Sequence, residues 1–250
     1  YWLQSRFRFL LREILFGANY KVSMVLQHQK DQLEIDYKGF KHISFDLWLT
    51  LIKSNPEFKI KRNLLFKDYF EIESPIEKVS QQLRYYDVVC NTINERTGLN
   101  IDTNEIYLFI LASLDVPIQG IQLSKLEGFY TESERLFLSY KPTLIYSNTK
   151  DYLKKIKSEE KSLNILSNTA FIKGFTLKKL IAFYELEDCF NFQIYSDECG
   201  FSKPNKKIFD LVHKEVPHID KSQILHVGDN EIADYKGALE YGFKAHLIKQ

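Results

Sequence analysis

Four short, mostly apolar runs recur along the chain: His42–Phe45, Leu163–Leu166, Phe192–Tyr195 and Ile224–Val227. Each ends in a small or polar cluster, and a fifth run, Ala245–Ile248, closes the chain. Runs of this length, bounded by polar residues, predict buried strands. A pattern of helical period follows each of the last three of the four. Strands alternating with helices predict an α/β fold, a doubly wound parallel sheet with helices on both faces. Such sheets bind ligands beyond the carboxyl ends of their strands, so the polar clusters there are where chemistry is to be sought.

Between the first two runs lies a long insertion, residues 55–140, that reads as helical. Ser74-Pro75-Ile76-Glu77 carries a capping Ser, a Pro for the first helical position and a Glu three residues after the Ser. Ile76, Val79, Leu83, Tyr86, Cys90 and Ile93 then form one apolar stripe, and Gly98 suits a helix stop. Asp102 and Glu105 repeat the capping pattern for a further helix. The stripe reads more simply as a bundle core than as a ligand face. Another helix is predicted near residues 150–158, with Ser147-Asn148-Thr149 as its cap. The expected organisation is an N-terminal extension (1–40), an α/β core (41–54 and 141–250) and an inserted α-helical domain (55–140).

Composition changes this picture little. The chain has 250 residues, 44% hydrophobic and 27% charged, as soluble globular proteins do. A net charge of +1 argues against nucleic acid as the main partner. Cys90, Cys189 and Cys199 are scattered and odd in number, which predicts no disulfide framework and a reducing, cytoplasmic setting. No apolar stretch is long enough to predict a membrane span. Residues 2–16 mix apolar residues with Arg6, Arg8 and Arg12. They read as an amphipathic helix lying on the domain, or as one for a membrane surface or partner. A third reading starts natural translation at Met24, leaving residues 1–23 as an appended segment.

Four strand-end clusters carry candidate chemistry. Asp46, in Phe45-Asp46-Leu47-Trp48-Leu49-Thr50, can point a carboxylate into the crevice, or it can cap a turn. Ser167-Asn168-Thr169 offers hydroxyl and N–H groups to an anionic oxygen, or a helix N-cap. Lys203, ahead of Pro204, is held in a loop where it can neutralise an anion, or is an ordinary surface lysine. Gly228-Asp229…Asp234 is an oxygen-rich strand end suited to Mg²⁺, or a helix start with acids at its positive end. The joint arrangement shifts these balances, because clusters after four strands of one sheet can converge.

Asp46…Thr50, Ser167, Lys203-Pro204 and Gly228-Asp229…Asp234 resemble, in order, the four motifs of the haloacid dehalogenase superfamily. The resemblance covers residues 41–54 and about 141–248 and implies a Rossmann-like core. The insertion sits where members with a helical cap carry theirs. Position by position, the resemblance implies that Asp46 attacks phosphorus and forms an aspartyl-phosphate. Mg²⁺ would be bound by Asp46, Asp229 and the backbone carbonyl of Trp48, with Asp234 supporting the metal shell or orienting Lys203. Ser167 and Lys203 would hold the phosphoryl oxygens, and Thr50 and Asn168 would add substrate contacts. An anionic nucleophile approaching an anionic phosphate needs the positive charge that Mg²⁺ and Lys203 supply.

One position departs from the pattern. The family's phosphatases carry a second Asp two residues after the nucleophile, which protonates the leaving oxygen and later activates water. Here Trp48 stands there, and an indole N–H cannot exchange protons. Its ring would pack under the cap. Either His226 or Glu231 is near enough in sequence to substitute. Three readings follow in order of preference: a Mg²⁺-dependent phosphatase, slow or using a substitute acid; a 2-haloacid dehalogenase-like enzyme, whose halide leaves without a proton; and a non-catalytic binding or regulatory module. Gly228-Asp229 counts against the second. The expected partner is a small phosphorylated or halogenated molecule. Arg62, Arg84 and Arg96 lie in the insertion, where solvated surface positions are the commoner outcome.

Overall fold

The computed structural model describes residues 32–249, so the readings of residues 1–23 lie outside the described residues. Five parallel strands form the sheet, in the order β5-β4-β1-β6-β7. They are β1 (His42–Phe45), β4 (Ser162–Ser167), β5 (Phe192–Tyr195), β6 (Ile224–Gly228) and β7 (Lys244–Leu247). All five expected runs are thus strands of one α/β sheet. β1 is central, pairing Phe45 with Ile165 of β4 on one side and with Val227 of β6 on the other. The chain winds outward from β1 in both directions, so the end of β1 is the switch point where such sheets open a crevice.

Alternation along the strands sorts the sheet's two faces. Ile43 and Phe45 of β1 join Leu163, Ile165, Leu225 and Val227 in one apolar cluster. That cluster is covered by α5 (Thr149–Ser158) through Leu153 and Ile156, and by α6 (Gly174–Phe183) through Leu177, Leu180 and Ile181. The opposite positions are polar at the sheet centre: His42, Ser44, Asn164 and His226 are all buried. Two bonds link them, His42 to Asn164 Oδ1 at 2.8 Å and His226 to Ser44 Oγ at 3.0 Å, while Asn164 Nδ2 is buried without a partner. Continuing two residues at a time from His42 and Ser44 leads to Asp46. Around this polar row, α7 (Lys206–Glu215) packs Ile208, Phe209 and Val212 against Leu166 and Ile224.

Between β1 and β4 the chain forms a two-stranded ribbon, β2 (Ile52–Lys53) antiparallel to β3 (Thr143–Leu144), which the sequence pattern does not predict. Four helices lie between the ribbon strands: α1 (Pro56–Tyr69), α2 (Ile76–Thr97), α3 (Thr103–Ser113) and α4 (Leu123–Ser139). They share an apolar cluster that includes Phe66, Val79, Leu83, Cys90, Ile106, Tyr107 and Phe129. The Asp102–Glu105 capping box forms as expected, and Gly98 closes α2 with φ 67°. Ser74 does not cap α2: Pro75 occupies the cap position, and the Ser74 carbonyl accepts from Lys67 Nζ at 2.9 Å. The predicted stripe ends early, because Ile93 is exposed and Asn94 is buried in its place. Asn94 Oδ1 accepts from Ile101 N at 2.9 Å, which ties the α2–α3 turn. That turn is also fastened to the sheet side, where Asn205 Nδ2 donates to Gly98 O and Ser202 N donates to the same carbonyl.

The segment before β1 runs extended, burying Leu33, Ile35 and Tyr37 on alternate positions. Asn148, expected to cap α5, instead spends its side chain here, accepting from Leu33 N at 2.7 Å and donating to Leu33 O at 3.1 Å. Among the described residues, no helix is long and apolar enough to cross a membrane.

The buried polar row gives stability a pH dependence. Burial pushes His42 down from its ordinary value of 6.5 to about 4. Below pH 6.5 the unfolded chain takes up a proton that the folded chain refuses, so stability is lost as pH falls from about 6.5 towards 4. The loss is at most about 3 kcal/mol. His42→Gln is expected to flatten that descent, measured by urea unfolding at pH 7 and pH 4.5. Equal losses in both proteins would rule out this origin.

Candidate active site

Asp46 directly follows β1, and its N–H extends the ladder by donating to Val227 O at 2.8 Å. This fixes its carboxylate at the switch point, 6% exposed. Lys203 Nζ donates to Asp46 Oδ1 at 2.7 Å, and Ser167 Oγ, at the end of β4, lies 3.4 Å from the same oxygen. Thr50 Oγ1 donates to Asp46 Oδ2 at 3.1 Å. Thr50 reaches back because residues 47–52 fold into a tight loop, with Leu51 N and Ile52 N both donating to Leu47 O. Leu49 takes φ 57° to close it, a conformation that a residue with a side chain adopts only at some cost.

Lys203 is buried, and its ammonium is nearly saturated with acceptors. Besides Asp46 it meets Asp234 Oδ1 at 2.6 Å and the Leu166 carbonyl at 2.7 Å. Burial pulls its pKa down, but Asp234 and Asp46 outweigh burial and hold it above the ordinary lysine value. Asn168 positions the lysine's backbone, accepting from Lys203 N at 2.8 Å and donating to Lys203 O at 3.0 Å. Asp234 is oriented in turn by His226 Nε2 at 3.1 Å and by Asn230 N at 3.0 Å. A Cβ at Gly228 would fall 2.2 Å from Asp234 Cγ, so only glycine there lets this carboxylate approach. Burial alone would raise the Asp234 pKa, but Lys203 and His226 overcome it and hold the carboxyl well below the usual range.

Asp46, Asp229 and Asp234 each present an oxygen within 4.8 Å of the others. Three carboxylates against the one Lys203 ammonium leave two negative charges in excess. Asp229 shows the strain: burial first, then Asp46 and Asp234, push it up to about 6. Burial, and then Asp234, also raise Asp46 despite its contact with Lys203. A hard divalent cation fits this oxygen set and would cancel the surplus charge. Asp229, the least buried of the three, would hold one together with Asp46, whose oxygens accept from Lys203 and Thr50, while both Asp234 oxygens are bonded to Lys203, His226 and Asn230.

The cluster opens into a crevice of about 560 Å³, bordered by Asp46, Asp229, Lys203, Asn168 and Trp48 and roofed by residues of α1 and α2. The Trp48 ring packs edge-on to Phe137 of α4, with centroids 6.3 Å apart. Ser167 and Thr50 are fully buried, so in this structure their hydroxyls serve the Asp46 carboxylate. Neither candidate substitute acid stands in the crevice. His226 is buried between Ser44 and Asp234, and Glu231 is solvent-exposed and paired with Lys236. Sequence reasoning missed the bracing of the Ser167–Thr169 loop, where Thr169 N donates to Ser196 Oγ at 2.8 Å and Thr169 Oγ1 to Asp197 Oδ1 at 2.9 Å. It also missed the His226 support, for which the period-two polar row along β1 and β6 is the available signal. Arg62, expected at the surface, is buried against the crevice, whereas Arg84 borders it while exposed.

Comparison with known proteins agrees with this geometry. Pyrimidine 5'-nucleotidase YjjG of Escherichia coli (strain K12) is 40% identical over 57 residues, a stretch covering 23% of this chain and 25% of that protein. The magnesium-bound HAD-hydrolase YfnB of Bacillus subtilis superposes with a TM-score of 0.63 at 18% identity, over 84% of this chain and 88% of that one. A 2-haloacid dehalogenase from Pseudomonas syringae pv. Tomato DC3000 superposes with a TM-score of 0.56 at 18% identity, over 82% and 85% of the two chains. At these identities the two structures establish the shared fold alone. The haloacid dehalogenase-like hydrolase family model matches residues 40–242, most of the chain. With its strand-end aspartates, lysine and parallel sheet in this arrangement, the chain belongs to the haloacid dehalogenase-like hydrolase family.

Proposed function

We propose that the protein is a Mg²⁺-dependent phosphatase of small phosphomonoesters, acting through an aspartyl-phosphate on Asp46. The observation that carries this reading is the buried Asp46 carboxylate between one ammonium and two further carboxylates. The excess of negative charge there calls for a dication, and the 2-haloacid reading has no use for Asp229. Asp46 is the nucleophile, and its carboxylate attacks phosphorus as the ester oxygen departs. Lys203 stabilises charge on the transferring group, and Asp234 holds that ammonium in place. Mg²⁺, when bound by Asp46 and Asp229, would keep both carboxylates ionised and neutralise the phosphate. We further assign helices α1–α4, residues 55–140, as a cap domain that closes over the crevice and selects the substrate.

Trp48 sets the character of the reaction. With Trp48 where an acid–base group would stand, and Asp229 assigned to the metal, the leaving oxygen departs unprotonated. Activated esters are therefore favoured over alkyl esters, and general acid–base help worth roughly 10²–10⁴-fold is missing. The same aromatic residue is the one observation that favours a dehalogenase-like reaction, where the leaving halide needs no proton.

Asp46→Asn is expected to lower p-nitrophenyl phosphate hydrolysis at least about a thousandfold, because the attacking group is gone. Excess chelator should abolish the wild-type activity, and Mg²⁺ should raise the melting temperature of the wild type but not of Asp229→Asn. Full turnover in chelator would refute the metal-dependent reading, and turnover of 2-haloacids without Mg²⁺ would favour the other. Across a series of phosphate esters, the wild-type rate should fall steeply as the leaving group becomes more basic. Trp48→Asp should flatten that dependence and speed the alkyl esters roughly tenfold or more. A folded variant with an unchanged slope would count against the missing-acid account.

A further inference from the structure

Arg62 is the anomaly of the crevice. It lies on α1, is 8% exposed, and borders the same crevice as Asp46 and Lys203. Phe171, on the loop after β4, lies 4.4 Å from its guanidinium carbon, and Phe58 lies 5.7 Å away. The two rings hold the planar group against both the sheet side and the insertion. Of its five N–H donors, one bond is made, from Nη2 to Asn63 Oδ1 at 3.1 Å. Nε is buried with no partner.

A buried guanidinium ordinarily meets a carboxylate, because desolvating the charge is otherwise costly. None of the ion pairs among the described residues includes Arg62. Asp87, the carboxylate that acts on it most, is bonded instead to Arg84 at 3.0 Å, and Asn91 Nδ2 donates to the Asp87 carbonyl at 2.7 Å. The roof of the crevice carries Lys59, Arg62 and Arg84 against Asp87 and Glu95, so one positive charge is left over. That is the inverse of the floor, where the carboxylates are in excess. Packing alone does not explain an arginine here, since an apolar side chain would fill the space between two phenyl rings without the desolvation.

We propose that Arg62 receives a second anionic group of the substrate, a carboxylate or a further phosphate. This rests on the phosphatase reading and deepens it: the preferred substrate is a phosphomonoester that bears another acid, not a neutral alcohol phosphate. The fork geometry of the guanidinium suits either anion in a two-point contact, and its cation–π contacts with Phe171 and Phe58 hold it in place before the substrate arrives.

The test uses linear phosphomonoesters of two to six carbons that end in a methyl group, a carboxylate or a second phosphate. Wild-type kcat/KM should favour an acid-ended ester over its methyl-ended counterpart at one chain length, chiefly through KM. In Arg62→Met, which keeps the stem's packing, that ratio should fall about a hundredfold, the range for hydrogen bonds to a charged group. Arg62→Lys should recover part of it. The carboxylate and phosphate arms show which anion is taken. Calorimetry on Asp46→Asn protein with Mg²⁺ separates this from the phosphatase reading. There the acid-ended ligands should bind more tightly than the methyl-ended ones even if no ester is turned over, and the preference should vanish when Arg62→Met is added. Wild-type protein with no preference for the acid-ended series, in either rate or binding, would overturn the proposal. So would a preference that survives in folded Arg62→Met.

Discussion

The site depends on one buried ammonium held between two carboxylates. Lys203 lies 2.7 Å from Asp46 and 2.6 Å from Asp234, with the Leu166 carbonyl completing its surroundings. A lysine removed from water stays charged only if its partners outweigh the desolvation, and here two carboxylates do so. The arrangement works in the other direction as well. Asp234 stays ionised because Lys203 and His226 face it, whereas Asp46, with burial and Asp234 acting against it, is held higher. The pocket is therefore poised but short of positive charge, which is the electrostatic condition under which a divalent cation binds among carboxylates.

The fold supplies that geometry through the sheet rather than through any one loop. Asp46 ends the central strand, with Ser167 at the end of the neighbour on one side and Gly228 at the end of the neighbour on the other. Every group is then aimed by local bonding: Lys203 by Asn168, Asp234 by Asn230 and His226, and Asp46 by Thr50. The helices between β2 and β3 are fastened at their ribbon and again at the α2–α3 turn, where Gly98 accepts from Ser202 and Asn205. Their polar residues thereby face the aspartates across one crevice, and the Trp48 ring is wedged against α4.

Family membership does not choose the reaction, because phosphatases and dehalogenases share this fold. The choice rests on what surrounds the nucleophile. The carboxylate surplus around Asp229 argues for a metal and a phosphate, and the indole at position 48 argues for a leaving group that needs no proton. Both fit the phosphatase proposed above, with Arg62 at the roof of the crevice as the proposed contact for a second anion.

The five strands and their parallel arrangement were legible in the sequence because runs that leave water are mostly apolar and four of them end in a polar cluster. Asp46, Ser167, Lys203 and Asp229 were legible through their resemblance, in order, to the haloacid dehalogenase motifs, since each follows a strand of a sheet whose ends converge. What the chain alone could not reveal was which partner each side chain takes. Ser74 and Asn148 carry capping chemistry, yet a proline holds one cap position and a docked segment claims the other side chain. His226 looked like a candidate acid, and three-dimensional packing turned it into a support for Asp234. Arg62 looked like one more surface arginine until Phe171, more than a hundred residues away in the chain, came to lie against its face. Periodicity reports which positions leave water; only tertiary contact decides which polar groups then find one another, because a hydrogen bond or ion pair depends on distances that sequence spacing does not contain.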